Sequence, residues 1–290
     1  VAMKSLPQIE GALQAALATV NAGCPPGLAA ALRHAVFPGG MRVRPRLCLA
    51  VAKACGGGDS RVAEGAAAAI ELMHCGSLVH DDLPCFDNAA IRRGLPSVHE
   101  QFGEPLAVLA GDGLIVLAVE TLVRAASHSP HLGQLVLLLT EAAGMPGGLI
   151  AGQAWESEPK VPLVAYQKAK TASLFTLATM SGALAAEAPA EPWRLLGDRL
   201  GEAYQIADDL RDIAMTSEEL GKPAGQDAAL GRPSAAAQHG MVGAIDKVEG
   251  LVRGAIAAIP ACREPGLLKT LILAELSRLL PKELVLLAAA

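Results

Sequence analysis

The sequence predicts an all-α fold, and three observations carry that prediction. Apolar residues recur at spacings of three and four over nearly the whole chain. Alternating β-branched runs are missing, and no Asn-Gly or Asp-Gly turn joins two candidate strands. The breaks between periodic stretches are short, so they join neighbouring helices rather than separate domains. The expectation is a single domain over residues 1–290, built of ten or more helices.

Taken in order, the periodic stretches are Leu13–Val20, Gly27–Phe37, Pro45–Ala54, Val62–Leu83, Leu106–Ala126 and Leu132–Ala143, then Tyr166–Ala186, Trp193–Ile213, Ala244–Ile259 and Leu267–Leu287. Punctuation falls at Cys24-Pro-Pro, Phe37-Pro-Gly-Gly, Gly56-Gly-Gly-Asp, Ser129-Pro, Pro189–Pro192, Gly221–Arg232 and Pro260. Ser217–Arg232 is the one long non-periodic stretch and reads as an active-site flap. Val62–Leu83 and Leu106–Val123 are apolar on more than one side, which predicts a wrapped central helix or a large dimer face.

Composition narrows the function. With 52% hydrophobic and 18% charged residues the chain buries more than it exposes, which excludes disorder. A net charge of −5 gives no broad basic surface, so nucleic acid is not an expected partner. Eight aromatic residues are too few for base-stacking platforms or sugar clefts. The most apolar windows, Pro105–Val123 and Leu132–Gly152, are interrupted by Asp112, Glu120 and Glu141, so no membrane span is expected. The six cysteines form no Cys-x-x-Cys pair, read as small buried thiols, and place the protein in the cytoplasm.

Chemistry concentrates in two acidic clusters. His80-Asp81-Asp82-Leu83-Pro84-Cys85-Phe86-Asp87 ends one apolar helix, because Pro84 cannot continue the hydrogen-bond ladder, and the bend can return Asp87 beside Asp81. Asp208-Asp209-Leu210-Arg211-Asp212 closes another, with Asp208 and Asp212 on one face. Clustered carboxylates repel unless a cation joins them, and an oxygen-only donor set suits Mg²⁺ shared with a phosphate. Arg42, Arg44, Arg92, Arg93, Lys168, Lys170 and Lys222 supply the positive charge that a polyphosphate substrate needs. No Walker-type glycine loop is present. His34, His80, His99, His128, His131 and His239 lack metal-ligand spacing and read as structural or surface residues. Trp155 and Trp193 read as packing anchors.

In these residues the chain resembles the trans-isoprenyl diphosphate synthases, over roughly residues 5 to 285. Pro38-Gly-Gly-Met-Arg-Val-Arg-Pro45 is similar to their homoallylic diphosphate loop, and Glu71–Asp82 leads into a stretch like their first aspartate-rich motif, closed by Arg92-Arg93-Gly94. Tyr166–Thr171 with Leu174-Phe175 is similar to their lysine motif. Tyr204–Asp212 resembles the second aspartate-rich motif and Leu220–Asp227 the flap. Gly152-Gln-Ala-Trp-Glu-Ser-Glu158 resembles the carotenoid-pathway geranylgeranyl diphosphate synthases of purple phototrophs.

The resemblance implies the isoprenoid synthase fold around a central active-site cavity, a homodimer, and magnesium-dependent head-to-tail condensation of isopentenyl diphosphate with allylic diphosphates, feeding carotenoid or bacteriochlorophyll-type isoprenoids. It implies a catalytic set of Asp81, Asp82, Asp87, Lys170, Asp208, Asp209 and Asp212. Of these, Asp81, Asp87, Asp208 and Asp212 would ligate magnesium, Asp212 through water. Arg92, Lys170 and Lys222 would hold the allylic diphosphate, and Arg44, His74 and Arg93 the isopentenyl diphosphate. Thr171 and Gln205 would flank the nascent cation. The chain departs from the family pattern at Met41, Ala90, Leu95 and Gln226. Met41 stands where a lysine is common, so isopentenyl diphosphate would rest on Arg42 and Arg44.

The resemblance also sets product length by how far the tail descends the first motif's helix. Gly76 lies five residues before Asp81, about 7.5 Å down. Neither it nor Ser77 can stop the tail, and Met73 and Leu72 would form the floor, giving a twenty-carbon product. Gly76 can alternatively serve only close helix packing. Three other readings stay open: a farnesyl diphosphate synthase, a class I terpene cyclase, and a non-catalytic subunit of a heteromeric synthase.

Overall fold

The computed structural model describes residues 2–20, 23–37, 39–214 and 235–279. Helix α1 (Ala2–Ala18) places Ile9, Leu13, Ala16 and Leu17 on one buried stripe, the spacing an amphipathic helix dictates. Helices α2 (Pro26–Val36) and α3 (Val43–Cys55) follow, the first entered through Pro26 at a position where a missing N–H costs nothing.

Helix α4 (Ser60–Asp81) starts on Asp59, whose carboxylate accepts from the Arg61 amide. It is buried around its circumference and packs against α1, α3, the long helix α6 (Glu104–Ala125) and α10 (Ser173–Ala185). This is the wrapped central helix that the many-sided apolar pattern of Val62–Leu83 predicts. Its contact with α6 is close because Gly76 faces Gly111: a Cβ on Gly76 would stand 3.1 Å from the Gly111 carbonyl. Between α4 and α6 lie a hairpin, β1 (Ile91–Arg92) with β2 (Leu95–Pro96), and the short helix α5 (Val98–Phe102).

The hairpin departs from the expectation that no strands pair. Its two-residue turn is Arg93-Gly94, with φ of 54° and 77°, the positive pair that a tight right-twisting hairpin requires. An arginine occupies the place usually signalled by Asn or Asp, so the turn is silent to a search for those residues.

Helices α7 (Leu132–Ala143), α8 (Leu149–Ala154) and α9 (Leu163–Gln167) lead to a π-helical turn over Lys168–Ala172. The stretch Tyr166–Ala186 is therefore not one regular helix. Helix α11 (Arg194–Ala214) seats Gly201 on that turn, where a Cβ would come within 2.3 Å of the Ala172 Cα. The helical run α12 (Ala235–Ala257) is broken at Gly240, with φ 70° and ψ 171°, and α13 (Pro265–Leu279) packs on α3.

Two helices, Ser60–Asp81 and Glu104–Ala125, are long and apolar enough to cross a membrane by length and composition, which departs from the expectation of no such segment. For α4, 78% of the apolar window is buried inside the protein; for α6 only 39% is, and Val108, Leu109, Val116 and Val123 face outward. Of the six free cysteines, only Cys48 and Cys75 are buried, and Cys85 is exposed, so the expectation of buried thiols holds for two.

Candidate active site

The C-terminal end of α4, the π turn and the C-terminal half of α11 surround a cavity of about 740 Å³. Asp81 is the last residue of α4, which stops before Pro84; the chain then turns so that the Asp87 amide donates to the Asp81 carbonyl at 2.9 Å. Both carboxylates line the cavity, and Asp208 and Asp212 line it from α11. Burial pushes the Asp81 carboxyl above the ordinary carboxylate range, Asp87 adds to that, and Lys170 opposes it. A carboxylate held at this cost is one that gains from a bound cation.

Lys170 and Thr171 reach the cavity from the π turn, whose extra residue per turn rotates both side chains inward. Lys170 donates to Glu156, which also accepts from the Tyr166 hydroxyl at 2.7 Å. Thr171 donates to Gln205, which in turn donates to Asp209 at 2.8 Å. Arg44, His74, Arg92 and Arg93 also line the cavity. The Arg44 guanidinium lies 4.8 Å above the Phe175 ring and 5.4 Å above Tyr204, and 3.4 Å from His74 Nε2. Burial and the neighbouring arginines hold the His74 imidazole well below its ordinary pKa, so it is neutral.

Several expectations are corrected. Asp82 is buried away from the cavity, and its carboxylate takes Arg92 Nε at 2.9 Å. Asp209 is likewise buried and turned to Gln205. Both orient a cavity residue rather than face the cavity. Arg42 does not back up the missing lysine at Met41. Its side chain is fully buried, bonding Glu71 at 2.7 Å, Glu10 at 2.8 Å and the Val36 carbonyl at 2.8 Å. Lys168 points outward to Asp198. Lys222 and Gln226 lie outside the described residues, as does the Ser217–Arg232 flap.

The floor assignment also changes. Ser77 and Met73 line the cavity, but Gly76 and Leu72 do not. The reason is rotation: at about 100° per residue, Ser77 and Met73 lie within about 80° of Asp81 around α4, whereas Gly76 lies about 140° away and Leu72 about 180°. Gly76 faces α6 and permits close helix packing. Glu71, Arg211 and Ile115 line the site without having been given a role in the sequence, and Glu156, also given none, meets it through Lys170.

Among the described residues, no three His, Cys, Asp or Glu side chains converge into a metal cage on their own. The donor set nevertheless fits Mg²⁺, which takes one or two carboxylates and completes its shell with waters and substrate phosphate. A polyphosphate would find carboxylates from two helices, with Lys170 and Arg92 near Asp81 and with Arg44 and Arg93 near His74.

The polyprenyl synthetase family model matches residues 25–257. The chain belongs to the polyprenyl synthetase family. Within it, the chain is 50% identical over 278 residues to the geranylgeranyl diphosphate synthase of Cereibacter sphaeroides, covering 95% of this chain and 96% of that one. It is 53% identical over 257 residues to the Rhodobacter capsulatus protein of the same name, covering 88% and 89%. Among solved structures, the geranyltransferase of Legionella pneumophila superposes with a TM-score of 0.81 at 27% identity, over 96% of this chain and 95% of that one. That of Helicobacter pylori, crystallised with magnesium and an isoprenyl diphosphate, superposes at 0.77 and 29% identity, over 94% and 97%. The all-α architecture of the polyprenyl synthetases is thus the architecture of this chain.

Proposed function

We propose that the chain is a magnesium-dependent prenyltransferase that condenses isopentenyl diphosphate head-to-tail with allylic diphosphates and releases geranylgeranyl diphosphate. The observation that carries this is the cavity: two acidic clusters on different helices line one space with Arg44, Arg92, Arg93, Lys170 and Arg211, and that space extends along α4 past Ser77 and Met73 between aliphatic walls.

Asp81, Asp87, Asp208 and Asp212 would hold magnesium. Bound there with the substrate diphosphate, magnesium supplies the positive charge that lets the leaving group depart. Lys170 and Arg92 bind and orient that diphosphate, aided by Glu156 and Asp82, which fix their positions. The allylic C–O bond breaks with its electron pair going to the diphosphate. Arg44, Arg93 and neutral His74 hold the isopentenyl diphosphate so that its double bond meets the allylic carbon. The new C–C bond forms and a proton leaves to the departed diphosphate, so no protein base is needed. The Thr171 hydroxyl and Gln205 amide sit where positive charge develops, and the enclosing helices exclude the water that would quench it.

The aromatic residues gather at the diphosphate end, where Phe86, Tyr166 and Tyr204 line the cavity, while Ile115, Leu149 and Leu174 line the remainder. An aliphatic wall suits a tail that only extends, which favours elongation over cyclisation. The close relatives named geranylgeranyl diphosphate synthase support the twenty-carbon product. We place the protein in the cytoplasm as a homodimer supplying carotenoid or bacteriochlorophyll-type isoprenoids. The outward apolar face of α6 supports the dimer.

The test is to incubate the purified protein with magnesium, farnesyl diphosphate and labelled isopentenyl diphosphate. Linear geranylgeranyl diphosphate supports the reading. Release of a cyclic hydrocarbon supports a cyclase, and no turnover supports a non-catalytic subunit. Arrest at fifteen carbons from geranyl diphosphate makes it a farnesyl diphosphate synthase.

A further inference from the structure

We propose that Glu71 of α4 is a positioning residue for the isopentenyl side of the cavity: its buried carboxylate ties two loops to one point and so sets where Arg44 and Arg93 stand. This deepens the prenyltransferase reading and rests on it. Three observations carry it.

First, Glu71 is buried, lies one helical turn before His74, and receives both loops through a single oxygen. Arg42 Nη1 lies 2.7 Å from Glu71 Oε1, and Arg93 Nη2 lies 3.8 Å from the same atom. Second, both arginines hold the left-handed backbone that L side chains rarely adopt, Arg42 with φ 49° and Arg93 with φ 54°. Such a conformation persists only where the surroundings over-determine it. Arg42 caps the start of α3, so its conformation sets the direction in which that helix begins and in which Arg44, two residues on, leaves the chain. Third, the two loops touch at Gly40. A Cβ there would stand 3.0 Å from Arg93 Cζ, so the guanidinium lies against backbone that carries no side chain.

The electrostatics agree. Arg42, Arg44, Arg92 and Arg93 are all near enough to His74 to depress its pKa. Cations gathered in this way repel one another, and Glu71 is a buried anion among them that attracts Arg42 and Arg44 alike. Without it Arg42 becomes a buried cation short of a partner, and Arg93 loses its carboxylate on α4. Arg92 has a separate anchor, Asp82 at 2.9 Å, so the allylic side keeps its geometry.

The experiment is steady-state kinetics of Glu71→Gln and Glu10→Ala beside wild type with magnesium, varying isopentenyl and farnesyl diphosphate in turn, together with thermal unfolding of each protein. Glu71→Gln keeps the shape of the side chain and removes its charge. It is expected to raise the isopentenyl KM by about tenfold or more, as a displacement near 1 Å suffices to do, with the farnesyl KM near wild type. Glu10 does not line the cavity and bonds Arg42 Nε at 2.8 Å. Glu10→Ala is expected to raise the isopentenyl KM about fivefold, the worth of one hydrogen bond. A lower melting temperature with both KM values unchanged, or raised equally, makes Glu71 a packing residue and overturns the proposal. A lower isopentenyl KM also overturns it, since the carboxylate then only repels the diphosphate. If Glu71→Gln does not fold, Glu10→Ala decides alone by the same criteria. Each of these results leaves the prenyltransferase reading intact, whereas failure of wild type itself to condense the substrates overturns both.

Discussion

Asp81 pays for its position: its carboxyl is pushed up by burial and by Asp87. A folded-state pKa above the unfolded value of about 3.9 means that stability is lost as pH rises through the folded pKa. At neutral pH and without metal, Asp81 therefore weakens the fold. Asp81→Asn is expected to raise the melting temperature in a chelator, to abolish the added stabilisation by magnesium with diphosphate, and to slow condensation on the order of 10²-fold. Thermal unfolding with and without magnesium, beside a steady-state assay, checks this. His74 has the opposite sign of effect. Its folded pKa is depressed by burial and by nearby arginines, so its contribution is intact above about pH 6.5 and lost as pH falls, because only the unfolded chain takes up the proton. His74→Gln is expected to reduce the drop in urea midpoint between about pH 7.5 and 5.5.

Residue chemistry was legible in the sequence where it is local. Asp81 and Asp87 announce themselves by clustering around the proline that ends their helix, and Asp208 and Asp212 by their spacing of four. What the sequence could not show is which partner each charge takes. Arg42 and Arg44 stand two apart at the start of α3, yet Arg42 is consumed by Glu10 and Glu71 from two other helices, while Arg44 lies over Phe175 and Tyr204. Those pairings span 29 residues or more and exist only after the helices pack.

At the scale of elements, the periodicity located the helices well but not the irregularities between them. The π turn at Lys168–Ala172 and the Arg93-Gly94 hairpin both serve the site, and neither has a compositional mark strong enough to read. Distance down α4 was readable from the helical rise, but facing depends on rotation, and that separates Ser77 from Gly76. The π turn also depends on a close seat for α8: a Cβ on Gly152 would come within 2.5 Å of the Lys170 backbone. Gly152→Ala is therefore expected to shift Lys170 away from Glu156 and lower kcat/KM for the allylic substrate by about tenfold or more, since a displacement near 1 Å can cost about 10² in rate. Steady-state kinetics with each substrate varied in turn checks this, the isopentenyl KM changing less.

For the whole molecule, the composition that favours helices also determines how they are used. Small residues let α4 sit at the centre with α6 close against it, and the outer side of α6 exposes Leu109 at 52% and Val116 at 66%. Charged substitution of both, Leu109→Glu with Val116→Lys, is expected to yield a monomer by light scattering, with the helical circular dichroism retained. The scarcity of aromatic residues first excluded stacking ligands; in the structure only Phe86, Tyr166 and Tyr204 line the cavity, and Ile115, Leu149 and Leu174 leave the rest of its wall aliphatic.

The central claim is that the clusters on α4 and α11 act on one magnesium-bound diphosphate. The most direct measurement is calorimetric titration of an unreactive thio analogue of farnesyl diphosphate, with and without magnesium, into wild type, Asp81→Ala and Asp208→Ala. The expected result is that magnesium tightens binding to wild type and that either substitution alone removes that gain. Full magnesium-dependent tightening in either variant would contradict a site shared by the two helices.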